Sequence, residues 1–189
     1  MNSDKKTEKI VGILFLIIFI LGITIYQVLQ GEVLFSKDFL TKTASHSNQI
    51  VLSTLLGFLS GILSIIISIL LLPIIQRQSQ RLAYLYISFC VLYFGGISID
   101  NIASLSILEL SRVYTESQFS DLETLKIMGT IFYKIHCRTH YVSLLLSCFP
   151  VFVLFYTLYF TKFIPRAISV FGILAVLLMF IEIVSSIFW

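Results

Sequence analysis

The 189-residue chain is 58% hydrophobic and only 12% charged, with 17 Phe and a formal net charge of +3, and its mean hydropathy is +0.98. Soluble domains run near 25% charged residues, so this composition cannot give every helix a polar face, and it excludes disorder for the same reason. The expected fold class is all-α, a polytopic transmembrane helical bundle.

A helix needs about 20 apolar residues to cross a hydrocarbon core about 30 Å thick, and five stretches reach that length. The first covers about 10–29. Lys5, Lys6 and Lys9 precede it like the start of a signal peptide. The apolar run is too long for one, however, and no small-x-small cleavage site follows in ITIYQVLQGEVLFS, so it reads as a retained span. Next, VLFSKDFLTKTAS predicts an interfacial helix with Phe35 and Phe39 one turn apart on a lipid-facing side.

The second span, 50–72, carries Gly57 and Gly61 in a GxxxG, continued by Ser64 and Ser68. These positions share one face, where another backbone can approach closely. Packing within the chain is the first reading of that face and homo-oligomerisation the second. The third span runs over 82–110 and is uncharged as far as Ile99. LETLKIMGTIFYKIHCR has mixed amphipathic character and can extend the fourth span, 141–160, outward. The fifth span, 168–188, has a weaker small face through Gly172, Ala175, Met179, Glu182 and Ser186. Pro73 closes the second span and Pro165 opens the fifth, positions where a missing amide costs little. One membrane domain over 1–189 is the simplest organisation.

With the N-terminus in the cytoplasm, Lys5, Lys6, Lys9, Arg77, Arg81, Lys162 and Arg166 lie inside, concentrated in short connections such as QRQSQR and TKFIPR. Outside lie Lys37, Lys42, Arg112, Lys126, Lys134 and Arg138, diluted by Glu32, Asp38, Glu116, Asp121 and Glu123. Basic density beside the span ends favours this orientation in the cell membrane, with Trp189 at the outer headgroup level. Basic residues spread in this way predict a lipid bilayer as partner and no nucleic acid.

Ionisable groups inside a span are candidate functional sites, because burying one in lipid costs at least about 2.5–3.5 kcal/mol. At about 1.5 Å per residue, Asp100 lies about 27 Å above Leu82 and Glu182 about 24 Å above Arg166. By the same rise His140 stands about 30 Å above Phe160, and Tyr26 and Gln27 come out near 24 Å. One level near the outer boundary therefore collects them. Simple snorkelling of boundary side chains is the default account. The sharper alternative is an outward-opening polar pocket, with Asp100, Asn101 and Glu182 as acceptors and Arg138, His140 and His136 as cationic or donor partners.

His136 and His140 are four apart on one helical face, the spacing of helical metal sites. Such a site needs three or four ligands, and Cys137 points about 100° away, so structural or interfacial histidines are expected and no cofactor is. Cys90, Cys137 and Cys148 make an odd count without a CxxC, which signals neither a disulfide framework nor a zinc finger. GxSxG, HExxH, P-loop and GxGxxG motifs are absent.

Three stretches carry a family resemblance: MNSDKKTEKIVGILFLIIFILGI, NQIVLSTLLGFLSGILSIIISILLLPIIQRQSQRLAYLYISF, and LFYTLYFTKFIPRAISVFGIL with its Ile-Pro-Arg. In this order they resemble the bacterial integral-membrane family catalogued as domain of unknown function 4386. The resemblance implies an α-helical membrane protein and no particular reaction. Members usually carry an Arg and a Glu after the third-span phenylalanine, where this chain has Cys90 and Tyr93, and usually six spans, where this chain has five.

The functional expectation is a non-enzymatic membrane protein with an outward-facing polar binding pocket. A small transporter or transporter subunit is the first alternative, although no inverted repeat or mid-span helix break points to one. A membrane-embedded metalloenzyme at His136 and His140 is the second.

Overall fold

The computed structural model describes residues 2–116, 122–161 and 164–188. Asp121, Lys162 and Trp189, each given a side of the membrane above, lie outside the described residues. Helix α1 (Asn2–Ile23) runs into a π-helical stretch, Thr24–Leu29, followed by the short helices α2 (Gly31–Leu34) and α3 (Phe39–Ser45). Four long helices complete the chain: α4 (Ser47–Gln76), α5 (Gln80–Glu116), α6 (Leu122–Thr161) and α7 (Arg166–Phe188). Among the described residues five helical segments are long and apolar enough to cross a membrane, the first spanning Lys5–Leu34. This is the architecture of a multi-pass membrane protein, and the described residues contain no strand.

The packing is a row of antiparallel neighbours. Helix α5 packs against α4 on one side and α6 on the other, α1 against α4, α7 against α6, and α3 against α5. Most of the apolar surface faces outward: Phe171 is 73% exposed, and Phe19, Leu178 and Ile181 are similarly bare. In water such a surface would aggregate. In lipid it costs nothing, and close backbone approach replaces hydrophobic burial as the glue.

That approach is visible at the glycines. A Cβ on Gly57 would meet the Asn101 amide group at 2.8 Å, and one on Gly61 would run into the Phe94 ring, so the GxxxG of α4 lies against α5 within the chain. Ser68 on the same stripe is buried and donates to the Ile65 carbonyl at 2.7 Å. Gly96 of α5 meets Ser143 and Leu146 of α6, and Gly172 of α7 meets the Phe155 ring of α6. Between these contacts Ile67, Ile75, Tyr86, Cys90 and Val153 form a cluster at one end of the bundle, and Val33, Leu34, Ile50, Ile107 and Leu108 form another at the opposite end.

The fourth span extends outward through LETLKIMGTIFYKIHCR, as expected, in a 40-residue helix that begins at Leu122, about 60 Å long, or twice the hydrocarbon thickness. Its first turns are held by packing: Gly129 lies under Leu40, and Phe132 joins the Leu34 cluster. Several boundaries differ from those read in the sequence. Phe35 and Phe39 do not share a lipid-facing helix surface. Phe35 ends α2 and Phe39 starts α3, and both rings pack on Tyr133 of α6, at 6.4 and 5.2 Å between centroids. Pro73 lies inside α4, which continues to Gln76, and Pro150 lies buried inside α6. On α7 the buried stripe is Ser169, Gly172, Val176 and Ile183. That face leaves Glu182, about 100° round the helix from Ile183, exposed.

The glycine contacts carry a direct consequence. Gly57→Val drives a branched side chain into Asn101, and overpacking of this kind costs about 1–3 kcal/mol. Thermal unfolding in detergent, followed by circular dichroism, should show a lower midpoint for Gly57→Val. Gly12→Ala, where a Cβ meets nothing within 4 Å, should leave the midpoint unchanged or raise it.

Candidate functional site

The polar level expected from helix rise becomes a set of contacts in the α5–α6 interface. Asp100 of α5 is 3% exposed, and its carboxylate faces three consecutive polar positions on one face of α6. His136 Nδ1 lies 2.9 Å from Oδ1, Thr139 Oγ1 lies 3.1 Å from Oδ1, and His140 Nδ1 lies 3.2 Å from Oδ2. Residues spaced three and four apart line one side of a helix, so this trio follows from the α6 periodicity.

An ionised carboxylate only accepts, so both imidazoles must carry their proton on Nδ1 to donate to it. Ser104, one turn along α5, has its hydroxyl oxygen 3.2 Å from the same His136 nitrogen and accepts a share of that proton. The Thr139 hydroxyl has one proton and two acceptors in reach, Asp100 and the His136 carbonyl at 3.0 Å. His136 is 2% and His140 24% exposed, so the two histidines are an inner and an outer partner of one carboxylate. Their ring centroids are 6.5 Å apart.

Tyr26 completes the cluster from α1's side. Its ring sits 4.5 Å from that of His140, and its phenol interacts with Asp100. Tyr26 belongs to the π-helical stretch, whose last turn closes with the Gln30 amide on the Ile25 carbonyl at 2.9 Å. The wider turn leaves carbonyls without helical partners, and the Gln49 side chain of α4 donates to those of Leu29 and Val28 at 2.9 and 3.2 Å. Gly31 permits the tight exit, because a Cβ there would stand 3.1 Å from the Tyr26 carbonyl. Single π turns inside α-helices occur often at functional sites.

The remaining candidates go elsewhere. Asn101 is buried but faces α4, donating to the Thr54 carbonyl at 3.3 Å. Arg138 does not meet Asp100; its guanidinium donates to the Ile187 carbonyl in the last turn of α7, where helix carbonyls lack partners and the dipole favours a cation. Glu182 accepts from Ser186 on the exposed side of α7, at 3.0 Å. The structure therefore unites Asp100, His136 and His140 and separates Asn101, Arg138 and Glu182 from them. Thr139 and Ser104 were missed in the sequence. Their signal was spacing, three from His136 and four from Asp100.

Each histidine Nδ1 turns to a different Asp100 carboxylate oxygen at hydrogen-bond distance. Among the described residues no group of three His, Cys, Asp or Glu is arranged to hold a metal ion.

In a double-mutant cycle of Asp100→Ala with His140→Ala, the coupling should fall near the membrane range of about 0.6–1.7 kcal/mol. The charge swap Asp100→Arg with Arg138→Asp should rescue nothing lost in Asp100→Arg, with coupling within about 0.5 kcal/mol of zero. Unfolding free energies in mixed detergent micelles give both numbers.

A family model described as Domain of unknown function (DUF4386) matches residues 10–189. No curated protein and no solved structure matches the chain.

Proposed function

The chain belongs to the family described as Domain of unknown function (DUF4386), and from that premise we propose that it is a non-enzymatic binding protein of the cell membrane. In this reading its N-terminus is cytoplasmic, the 189 residues act as one membrane domain, and the ligand enters from the outer side. The observation that carries the reading is His140, a partly exposed imidazole held through Nδ1 by the buried Asp100 carboxylate.

That bond sets what His140 can do. With Nδ1–H committed to Asp100, the opposite nitrogen Nε2 of the neutral ring is an acceptor. While both histidines are neutral the cluster holds one negative charge. The ligand that suits such an acceptor is a small cationic or hydrogen-bond-donating group. The basic density at Lys5, Lys6, Lys9, Arg77 and Arg81 supports the cytoplasmic N-terminus.

Transport is a second reading, favoured by one observation: the π-helical stretch that carries Tyr26 makes the outer end of the first span irregular beside the cluster. Irregular helices at binding sites are common in transporters.

Topology and access are tested together by cysteine labelling in intact cells. In a background with Cys90, Cys137 and Cys148 changed to alanine, His140→Cys should react with a membrane-impermeant maleimide added outside, and His136→Cys should stay unlabelled. Labelling of His140→Cys only after permeabilisation would reject the outward-facing reading. In proteoliposomes with an imposed pH gradient the binding reading expects no proton flux, and a flux abolished by Asp100→Asn would establish transport instead.

A further inference from the structure

A second feature of the α5–α6 pair lies on its outward face. Between the two helices runs a groove of about 400 Å³, lined on α5 by Gly95, Gly96 and Ile99 and on α6 by Arg138, Val142 and Leu146. Two adjacent glycines make it. Gly96 is needed for packing, since a Cβ there would stand 2.9 Å from Leu146 and 3.3 Å from Ser143. Gly95 is not, because a Cβ there meets nothing within 4 Å. The space above Gly95 is therefore open toward the surface, where Ile99 and Val142 are exposed.

The groove is apolar along its length and cationic at one end. From Val91 to Ile99 it follows about 12 Å of helix. Arg138 stands at the end where the same helix carries Lys134 and Lys126, so its guanidinium lies toward the headgroups and its apolar neighbours toward the hydrocarbon. Its hydrogen-bond partner among the described residues is the Ile187 carbonyl. A carbonyl is a neutral acceptor that uses one of five guanidinium N–H groups, so this contact does not neutralise the charge.

We propose that this groove is a binding site for an anionic phospholipid, with one acyl chain lying over Gly95 between α5 and α6 and the phosphate on Arg138. Any lipid can wet an apolar helix face, so the shape of the groove alone carries no selectivity. Selectivity comes from Arg138, because a basic residue at the membrane surface attracts a net negative headgroup more strongly than a zwitterionic one. The planar guanidinium can also grip a phosphate through two parallel hydrogen bonds. Thr139, which donates to Asp100, lines the same groove, so the lipid would lie against the back of the polar cluster.

The test uses the full chain in nanodiscs of equal parts phosphatidylglycerol and phosphatidylcholine, with retained lipid counted by native mass spectrometry. One basic contact predicts a preference of about fivefold for phosphatidylglycerol. Gly95→Leu extends into the groove from a position where a Cβ meets nothing within 4 Å and should reduce retention of both lipids. Arg138→Gln keeps a donor for the Ile187 carbonyl and should remove only the preference for phosphatidylglycerol. Leu178→Ile, on the exposed face of α7, serves as a control that retains lipid like the wild type. Equal retention of the two lipids by the wild type would overturn the proposal, as would wild-type retention by Gly95→Leu.

Discussion

A carboxylate enclosed between two membrane helices either receives hydrogen-bond donors or costs several kcal/mol, and Asp100 is in that position. Its donors come from positions 136, 139 and 140 of α6. That requirement sets how α5 and α6 meet. Turning α6 by one residue, about 100°, would move all three donors out of reach. The same facing brings Gly96 onto Ser143 and, farther along α6, Gly129 under Leu40. From the next residue of α5, Asn101 reaches the α4 backbone over Gly57. Two adjacent polar residues thus tie the middle helix to both neighbours.

The rest of the bundle follows the economy of a lipid solvent. Apolar side chains gain little by turning inward, so they are left facing out, and contact surfaces use glycine and hydroxyl residues instead. Several hydroxyls donate to carbonyls of their own helix: Thr54 to Ile50, Ser98 to Phe94, Thr157 to Val153. Where the helix departs from regularity, a neighbour supplies what is lost, as Gln49 does for the π-helical stretch. That stretch holds Tyr26 against His140. The irregular backbone and the polar cluster thus meet at Tyr26.

The candidate site was legible in one dimension. Helix rise puts Asp100, His140 and Tyr26 at one height from sequence alone, and the histidine spacing puts both rings on one face. Which residue of α6 meets Asp100 was not legible. Arg138 and His140 differ by two residues, close to opposite sides of a helix, and the sequence offered both. The arginine instead serves the end of α7, a helix whose position relative to α6 no local pattern encodes. Glu182 was misjudged for a related reason. Small residues marked one stripe of α7, but contact with Phe155 and Cys148 selects the stripe through Gly172, Val176 and Ile183.

Helix class, the number of crossings and the height of each polar group were determined by the sequence itself, because they depend on composition, run length and a constant rise per residue. The π turn at Tyr26 and the partners of Asp100 were decided only in the tertiary structure. Each depends on the rotation of one helix about its axis against another. That angle is set by which side chains interlock across the interface, information shared between distant segments and carried by neither alone.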